Sequence, residues 1–570
     1  MTRKNYWERF QRERVSRRRL LAVSGMGAAG LAVAVACGEE KGGPAGETPG
    51  VTGTPPTAKP KPGGRYQVAT DVNVDTLDPH LSIAGGPAWF PRVYNVLIKQ
   101  SSQQTDWIFR DLAEEYEIPE PGGLEWIFHI RPGVKIAPNT DGIPERDLDA
   151  EDARISFERI KGLPQANAAQ FVGKFFASHE ASPDGKTYTV RTPTPYAYFQ
   201  LNIGGALFTS TIPPREVIEK GEDFMKQNAV GAGPFFVRPG SYIEGQGLTL
   251  DRNPNYYRKD EDNDNAQIPY VEGIDAKIIP DRPLRRAAFI AKQSYDYGTE
   301  NIEEAEELLG QYDIYETRGP VNSFVSFTMN VTREPWTDPR IRKAAMYALN
   351  RQQYIDLVYK GDAQANGLVH WPQGAYALPP EELELLQPFD PERSKQLIRE
   401  ATGQDRIGIK VMFPGNSTIW QHDRQLPIWL EQMKAAGFDV DQDVQDFGMW
   451  LDNYQNINYD ASLALNQIYE TPEIPIDFQH SDGPAGSGIY ATGLQDPEVD
   501  AAIKASKEIT DPEELVQAIQ EVQRLIYDKG PAFLPIVSSY SHTVYWNFVK
   551  NVPEGLGVAG DLVNTRWLDL

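Results

Sequence analysis

Three observations predict an α/β protein with more than one domain. At 570 residues the chain is too long for a single hydrophobic core. Its composition, 40% apolar and 24% charged, is that of an ordinary globular protein. Strand-like runs bounded by Gly, Pro and Asn alternate with helical runs that carry their own start signals. The stretch from Gly319 to Gly361 shows this alternation best. Phe324 to Met329 reads as a strand, with Gly319-Pro320 before it and Asn330 after. Asp338 then stands at an N-cap and Pro339 at the first helical position, where a missing N–H costs nothing. Ile341, Ala344, Ala345, Ala348 and Leu349 recur at helical spacing. Asn350 can cap a second helix that buries Tyr354, Leu357 and Val358 and stops at Gly361.

The N-terminal segment reads as an export signal. Basic residues up to Ser16-Arg17-Arg18-Arg19 precede an apolar run, Leu20 to Ala36, diluted by Gly25, Gly27 and Gly30. Paired arginines before a mildly apolar run resemble a twin-arginine signal, and Ala34-Val35-Ala36-Cys37 resembles a lipobox. That resemblance implies that Cys37 receives lipid and becomes the new N-terminus. An uncleaved anchor and plain secretion are the alternatives, the anchor weakened because a span needs ~20 strongly apolar residues. Residues 38–64 hold eight Gly and six Pro among 27, too little apolar surface to offset chain entropy. They read as a disordered tether with a mean span of about 30 Å.

Charge and cysteine usage narrow the function. The formal net charge is −24, which argues against nucleic acid or an anionic membrane surface as partner. Cys37 is the single cysteine, so neither an intramolecular disulfide nor a multi-cysteine zinc site is available.

Beyond the tether the elements follow in order. A strand opens from Gly64 to Val72, then Thr76-Leu77-Asp78-Pro79-His80, the loop from Ser82 to Trp89, and Val93-Tyr94-Asn95-Val96-Leu97. Leu124, Trp126, Phe128 and Ile130 alternate along a half-buried strand. Asp149 caps a helix and faces Asp152 in a variant capping box; Ser182 to Lys186 turns a hairpin. A helix starts at Pro213-Pro214, followed by the turn Ala229-Val230-Gly231-Ala232-Gly233-Pro234-Phe235. That turn is not a phosphate cradle, since no Lys-Ser/Thr follows and the next element is a strand. Later helices run from Asp390-Pro391 to Gly403, from Trp429 to Gly437, and from Asp511-Pro512 to Gly530 with Leu515, Ile519, Val522 and Ile526 on one face. Phe533 to Val537 returns as a strand.

The segment from Phe324 to Asn330, followed by Pro335-Trp336 and the two capped helices, resembles the centre of extracellular solute-binding proteins of family 5. These are the dipeptide-, oligopeptide- and nickel-type receptors of ABC importers. Leu77-Asp78-Pro79, the segment from Val93 to Leu97 as a helix, the Gly231–Gly233 turn and Asn253-Pro254-Asn255-Tyr256-Tyr257 carry the resemblance further. It implies a two-lobed α/β fold of the periplasmic-binding-protein type (type II, large cluster C) with an inserted α+β subdomain. The implied division is lobe I over 64–98, 207–322 and 535–570, the insertion over 99–206, and lobe II over 323–534, behind a signal (1–37) and tether (38–63). Chain crossovers are expected near 318–330 and 528–540. By resemblance Ser82, Ile83, Trp89, Trp420, Tyr469 and Tyr490 border the inter-lobe cleft. Relatives hold a ligand ammonium with an acid in the segment matching Gln467 to Glu473, where Glu470 could serve. That pattern is degraded here, so an oligosaccharide stacking on aromatics stands beside a peptide as ligand. The implied partners are an ABC permease and a lipid anchor at Cys37, with the protein a monomer.

A catalytic alternative is a secreted hydrolase, and a third reading is a surface scaffold. No His pair has helix-borne zinc spacing, no G-x-S-x-G elbow exists, and no cofactor or metal is expected. Asp260, Asp262 and Asp264 occupy calcium-loop positions, but Asn265 and Val271 stand where Gly and Glu are needed, so a solvated loop is expected.

Overall fold

In the computed structural model the structure describes residues 59–71, 73–82, 89–100, 108–119, 123–166, 168–204, 210–261, 263–299, 301–320, 323–415, 422–467, 471–481, 492–552 and 565–570. Two α/β lobes and an insertion are visible as separate sheets. The first lobe holds a four-stranded sheet ordered Arg65–Thr70, Gly273–Ile278, Gly247–Arg252, Phe235–Val237. Its first pair is parallel, with Arg65 opposite Gly273, and the others are antiparallel. A second sheet places the long strand Val537–Trp546 between Asp296–Thr299 and Ile314–Pro320. The insertion is an antiparallel sheet ordered Ala113–Glu117, Glu125–Ile130, Thr187–Arg191, Ser178–Ala181. Helix Ala150–Gly162 packs on it through Phe157, which stacks on Tyr188 at 5.7 Å.

The second lobe is a five-stranded mixed sheet ordered Phe438–Gln445, Ile407–Pro414, Ala461–Gln467, Ser323–Met329, Phe533–Pro535. Ser323–Met329 runs antiparallel to both its neighbours, and Phe324 to Met329 are all buried. A strand buried on both faces reads as a near-continuous apolar run, which Phe324-Val325-Ser326-Phe327-Thr328-Met329 is.

The chain passes between the lobes twice. It leaves one sheet at Pro320 and enters the other at Ser323, then returns from Pro535 to Val537 across Ile536. The strand from Phe533 to Val537 is therefore two strands belonging to two different sheets.

Caps form where the sequence places them. Asp338 accepts from the Arg340 N–H, Asn350 from that of Gln353, Asp390 from that of Arg393, and Asp511 from those of Glu513 and Glu514. Asp149 and Asp152 close a reciprocal capping box. Each such cap contributes about 1 kcal/mol.

Four expectations are corrected. Val93 to Leu97 is not helical: only Phe90–Arg92 makes a 3₁₀ turn. The carbonyls a helix would need are taken from outside, Val93 by the Gly233 N–H, Asn95 by Ile212, Val96 by Leu112 and Leu97 by Ala113. The glycines of the 229–235 turn permit this, since a Cβ on Gly231 would lie 2.1 Å from the Val93 carbonyl oxygen. Helix Arg351–Leu357 buries Tyr354 and Ile355 but exposes Leu357, because its buried stripe runs through Arg351, Tyr354, Ile355 and Val358. Leu124 lies just outside its strand and is exposed. Asp260 is buried rather than solvated: pairing of Lys259–Asp260 with Ala266–Gln267 turns it onto Tyr270 (2.9 Å) and Asn263 (2.8 Å), which donate to it. Asp262 lies outside the described residues.

The helix expected from Trp429 begins earlier, spanning His422–Ala435 with Pro427 inside it.

Candidate functional site

The double crossover brings a charged and aromatic cluster together from elements far apart in sequence. Glu316 and Arg318 stand on strand Ile314–Pro320, just before the first crossover. Tyr540 and His542 stand on Val537–Trp546, just after the second. Asp362 and Gln364 come from the end of the second lobe's helical pair, where Ala363–Ala365 pairs with Val537–Trp546. Arg318 donates to Asp362, and the His542 ring lies between Glu316 and Asp362, 2.6 Å from the latter through Nε2. The Arg318 guanidinium carbon sits 3.6 Å from the centre of the Tyr540 ring, and Trp371 packs on that ring at 5.2 Å. Gln364 donates to the Tyr540 hydroxyl at 2.6 Å.

Burial works against a charged His542, and hydrogen bonds to Asp362 and Glu316 outweigh it, so the imidazole pKa is pushed up to about 9. A pKa raised on folding gives stability that is complete below the ordinary histidine range and lost as pH rises through about 9. Thermal melts should therefore fall more between about pH 7 and about pH 10 in the wild-type chain than in His542→Gln. Parallel pH profiles would refute this role for the imidazolium.

A second polar knot joins the insertion to the second lobe. Glu473 and Asp477 lie one helical turn apart on Glu473–Asp477, and Lys507 ends the helix Pro497–Lys507. Lys507 Nζ is 3.1 Å from Glu473 Oε1 and 2.6 Å from Asp477 Oδ2. Tyr196 donates its hydroxyl proton to Glu473, and Asn202 donates to the Tyr196 oxygen at 2.8 Å. The Ala197 N–H donates to the Lys507 carbonyl at 2.7 Å. Burial opposes the ammonium, and the two carboxylates more than reverse this, holding the Lys507 pKa well above the ordinary lysine value.

Of the residues expected at the cleft, two are described. Ser82 is buried and donates its hydroxyl proton to Asp75. Trp89 is buried in the first lobe's core, with the Arg92 guanidinium 4.9 Å from its ring. Ile83, Trp420, Tyr469, Glu470 and Tyr490 lie outside the described residues, as does Cys37. Glu473 was in the segment that the sequence singles out, but its partners Lys507 and Tyr196 carry no local signal. Arg318 and Tyr540 were likewise missed: the crossovers are legible, the side chains that stack there are not.

Among the described residues no group of three or more His, Cys, Asp or Glu could hold a metal ion. No described helix is long and apolar enough to cross a membrane. His370 is fully buried and its pKa is pushed down to about 3 by that burial, so it stays neutral against Phe324 at 3.9 Å.

Residues 108–485 match the profile of the bacterial extracellular solute-binding proteins, family 5 (middle region). The chain belongs to this family. The glutathione-binding protein GsiB of Salmonella paratyphi A is 22% identical over 493 residues, covering 82% of this chain and 88% of that protein. Among solved structures, the periplasmic binding protein DppA of Helicobacter pylori, in complex with the peptide STSA, superposes with a TM-score of 0.72 at 18% identity. That match covers 90% of this chain and 99% of the other. A dipeptide-binding protein of a Pseudoalteromonas species, in complex with Met-Leu, gives a TM-score of 0.73 at 18% identity, over 89% of this chain and 100% of the other. The shared family-5 fold is thus two-lobed over nearly the whole of the described chain.

Proposed function

We propose that this chain is the receptor of an ABC importer, capturing a peptide between its lobes and handing it to a membrane permease without chemical turnover. The observation that carries this reading is the double crossover. Two crossings carry the chain between the second lobe's sheet and the sheet of Val537–Trp546, to which the short strand Ala363–Ala365 also pairs, and a link this slender is one in which hinge closure around a ligand is cheap. Membership of family 5 supplies the transport context, and relatives that bind glutathione, a tetrapeptide and a dipeptide favour a peptide over a sugar.

On this reading lobe I comprises 64–98, 207–322 and 535–570, the insertion 99–206, and lobe II 323–534. Ile83, Trp420, Tyr469 and Tyr490 face the ligand and Glu470 its ammonium, while the buried Ser82 and Trp89 bracket the loop that carries Ile83. The protein acts outside the cytoplasmic membrane, exported by its twin-arginine segment and held by lipid on Cys37 beyond the tether. Replacing Cys37 by alanine should then move the protein from the membrane fraction to the soluble one; unchanged retention would refute lipidation.

Native mass spectrometry of freshly purified protein tests the ligand class. A bound mass that fragments as a peptide is expected. A bound oligosaccharide would overturn the peptide assignment, and turnover of added peptides would overturn a pure binding role.

A further inference from the structure

We propose that Arg318 is a specificity-determining residue that reads a carboxylate of the captured solute, on the peptide-receptor reading given above. Arg318 stands two residues before the end of its strand at the first crossover, and Tyr540 four residues beyond Ile536 at the second. Crossovers close the back of an inter-lobe cleft, and on this proposal the exposed Arg318 side chain lies at the floor on which a ligand rests.

The guanidinium carbon lies over the Tyr540 ring, 3.6 Å from its centre, with Trp371 on that ring in turn. Among the described residues it makes one hydrogen bond, to Asp362. Most of its five N–H donors therefore meet no acceptor among the described residues. The charges beneath it are covered. The Arg318 side chain is 37% exposed, against 6% for Asp362 and 1% for His542. The His542 ring lies between Asp362 and Glu316, whose side chain is 25% exposed, so both carboxylates are engaged and the Arg318 cation is the most exposed charge of the cluster.

A planar fork already stacked in place loses little freedom on binding, and two parallel N–H donors match the two oxygens of a carboxylate. Lysine at this position would offer a point charge without the stack or the fork. The Tyr540 hydroxyl accepts from Gln364, which leaves its own proton to donate beside the same oxygens.

Calorimetry on the full chain tests this with two matched pairs: Ala-Ala-Ala against its C-terminal amide, and the amides of Ala-Glu-Ala and Ala-Gln-Ala. In the wild-type protein one acid should bind at least about tenfold more tightly than its neutral partner. In Arg318→Gln that ratio should fall to within about threefold of one, and Arg318→Lys should lie between. Each ratio is taken within one preparation, so a loss of folded fraction cancels, and Arg318→Lys decides the matter if the glutamine variant does not fold. An unchanged ratio in the variants, or acid and neutral partners bound alike by the wild type, overturns the role of Arg318 and leaves the receptor reading standing. Failure of the wild type to bind any of the four peptides overturns the receptor reading for peptides and this inference with it.

Discussion

Replacing Lys507 by methionine should destabilise the protein by about 3–5 kcal/mol, the scale expected when one partner of a buried ionic group is removed. The reason is the pair it would strand. Glu473 and Asp477 expose 2% and 1% of their side chains, and Lys507 is their shared counter-charge. A methionine keeps the stem length but leaves two carboxylates in low dielectric without a cation. Those carboxylates would then ionise less readily, so Lys507→Met should recover stability as pH falls, opposite to the usual acid response. Adding Glu473→Gln and Asp477→Asn to the same chain should restore much of the loss, because a neutral polar knot needs no cation. Denaturant titration at two pH values reads all three. A methionine variant as stable as the wild type would mean that water reaches the knot and screens it.

Truncating Trp429 to alanine should cost a similar amount, about 3–5 kcal/mol, by a different route. Trp429 is fully buried under the second lobe's sheet, with Phe327 at 5.0 Å and Phe413 at 5.9 Å. Its indole N–H has no hydrogen-bond partner among the described residues, so the substitution strands no polar group there and the loss is packing and cavity. Trp429→Phe should therefore cost markedly less. The pair separates the two mechanisms: Lys507→Met responds to pH, Trp429→Ala does not. A Trp429→Ala chain with an unchanged denaturation midpoint would show that this part of the sheet contributes little to cooperative stability.

What the sequence could show was local. Asp338-Pro339, Asn350, Asp390-Pro391 and Asp511-Pro512 each place a cap and a helix start within three residues, and all four caps form. The buried strand from Phe324 to Met329 is legible because its burial is double-sided and its run is mainly apolar, interrupted only by Ser326 and Thr328. The segment from Val93 to Leu97 reads wrongly as a helix because its carbonyls are claimed by Gly233, Ile212, Leu112 and Ala113, none of which is near in sequence. The site residues follow the same division. Arg318 on Tyr540, and Lys507 between Glu473 and Asp477 under Tyr196, are contacts made by topology, and no spacing rule reaches them.

The insertion meets the second lobe through Tyr196, Asn202 and Ala197, and the lobes meet at the two crossovers and where Ala363–Ala365 pairs with Val537–Trp546, so closure about that hinge is the motion the fold allows. A ligand drives that motion only through contacts it makes better in the closed state than in the open one. Small-angle scattering of the full chain, first stripped of bound solute and then saturated with the peptide recovered by native mass spectrometry, measures it directly. The radius of gyration should fall on saturation. An identical scattering profile with and without saturating peptide would contradict closure, and with it the account of this protein as a receptor that traps its solute between two lobes.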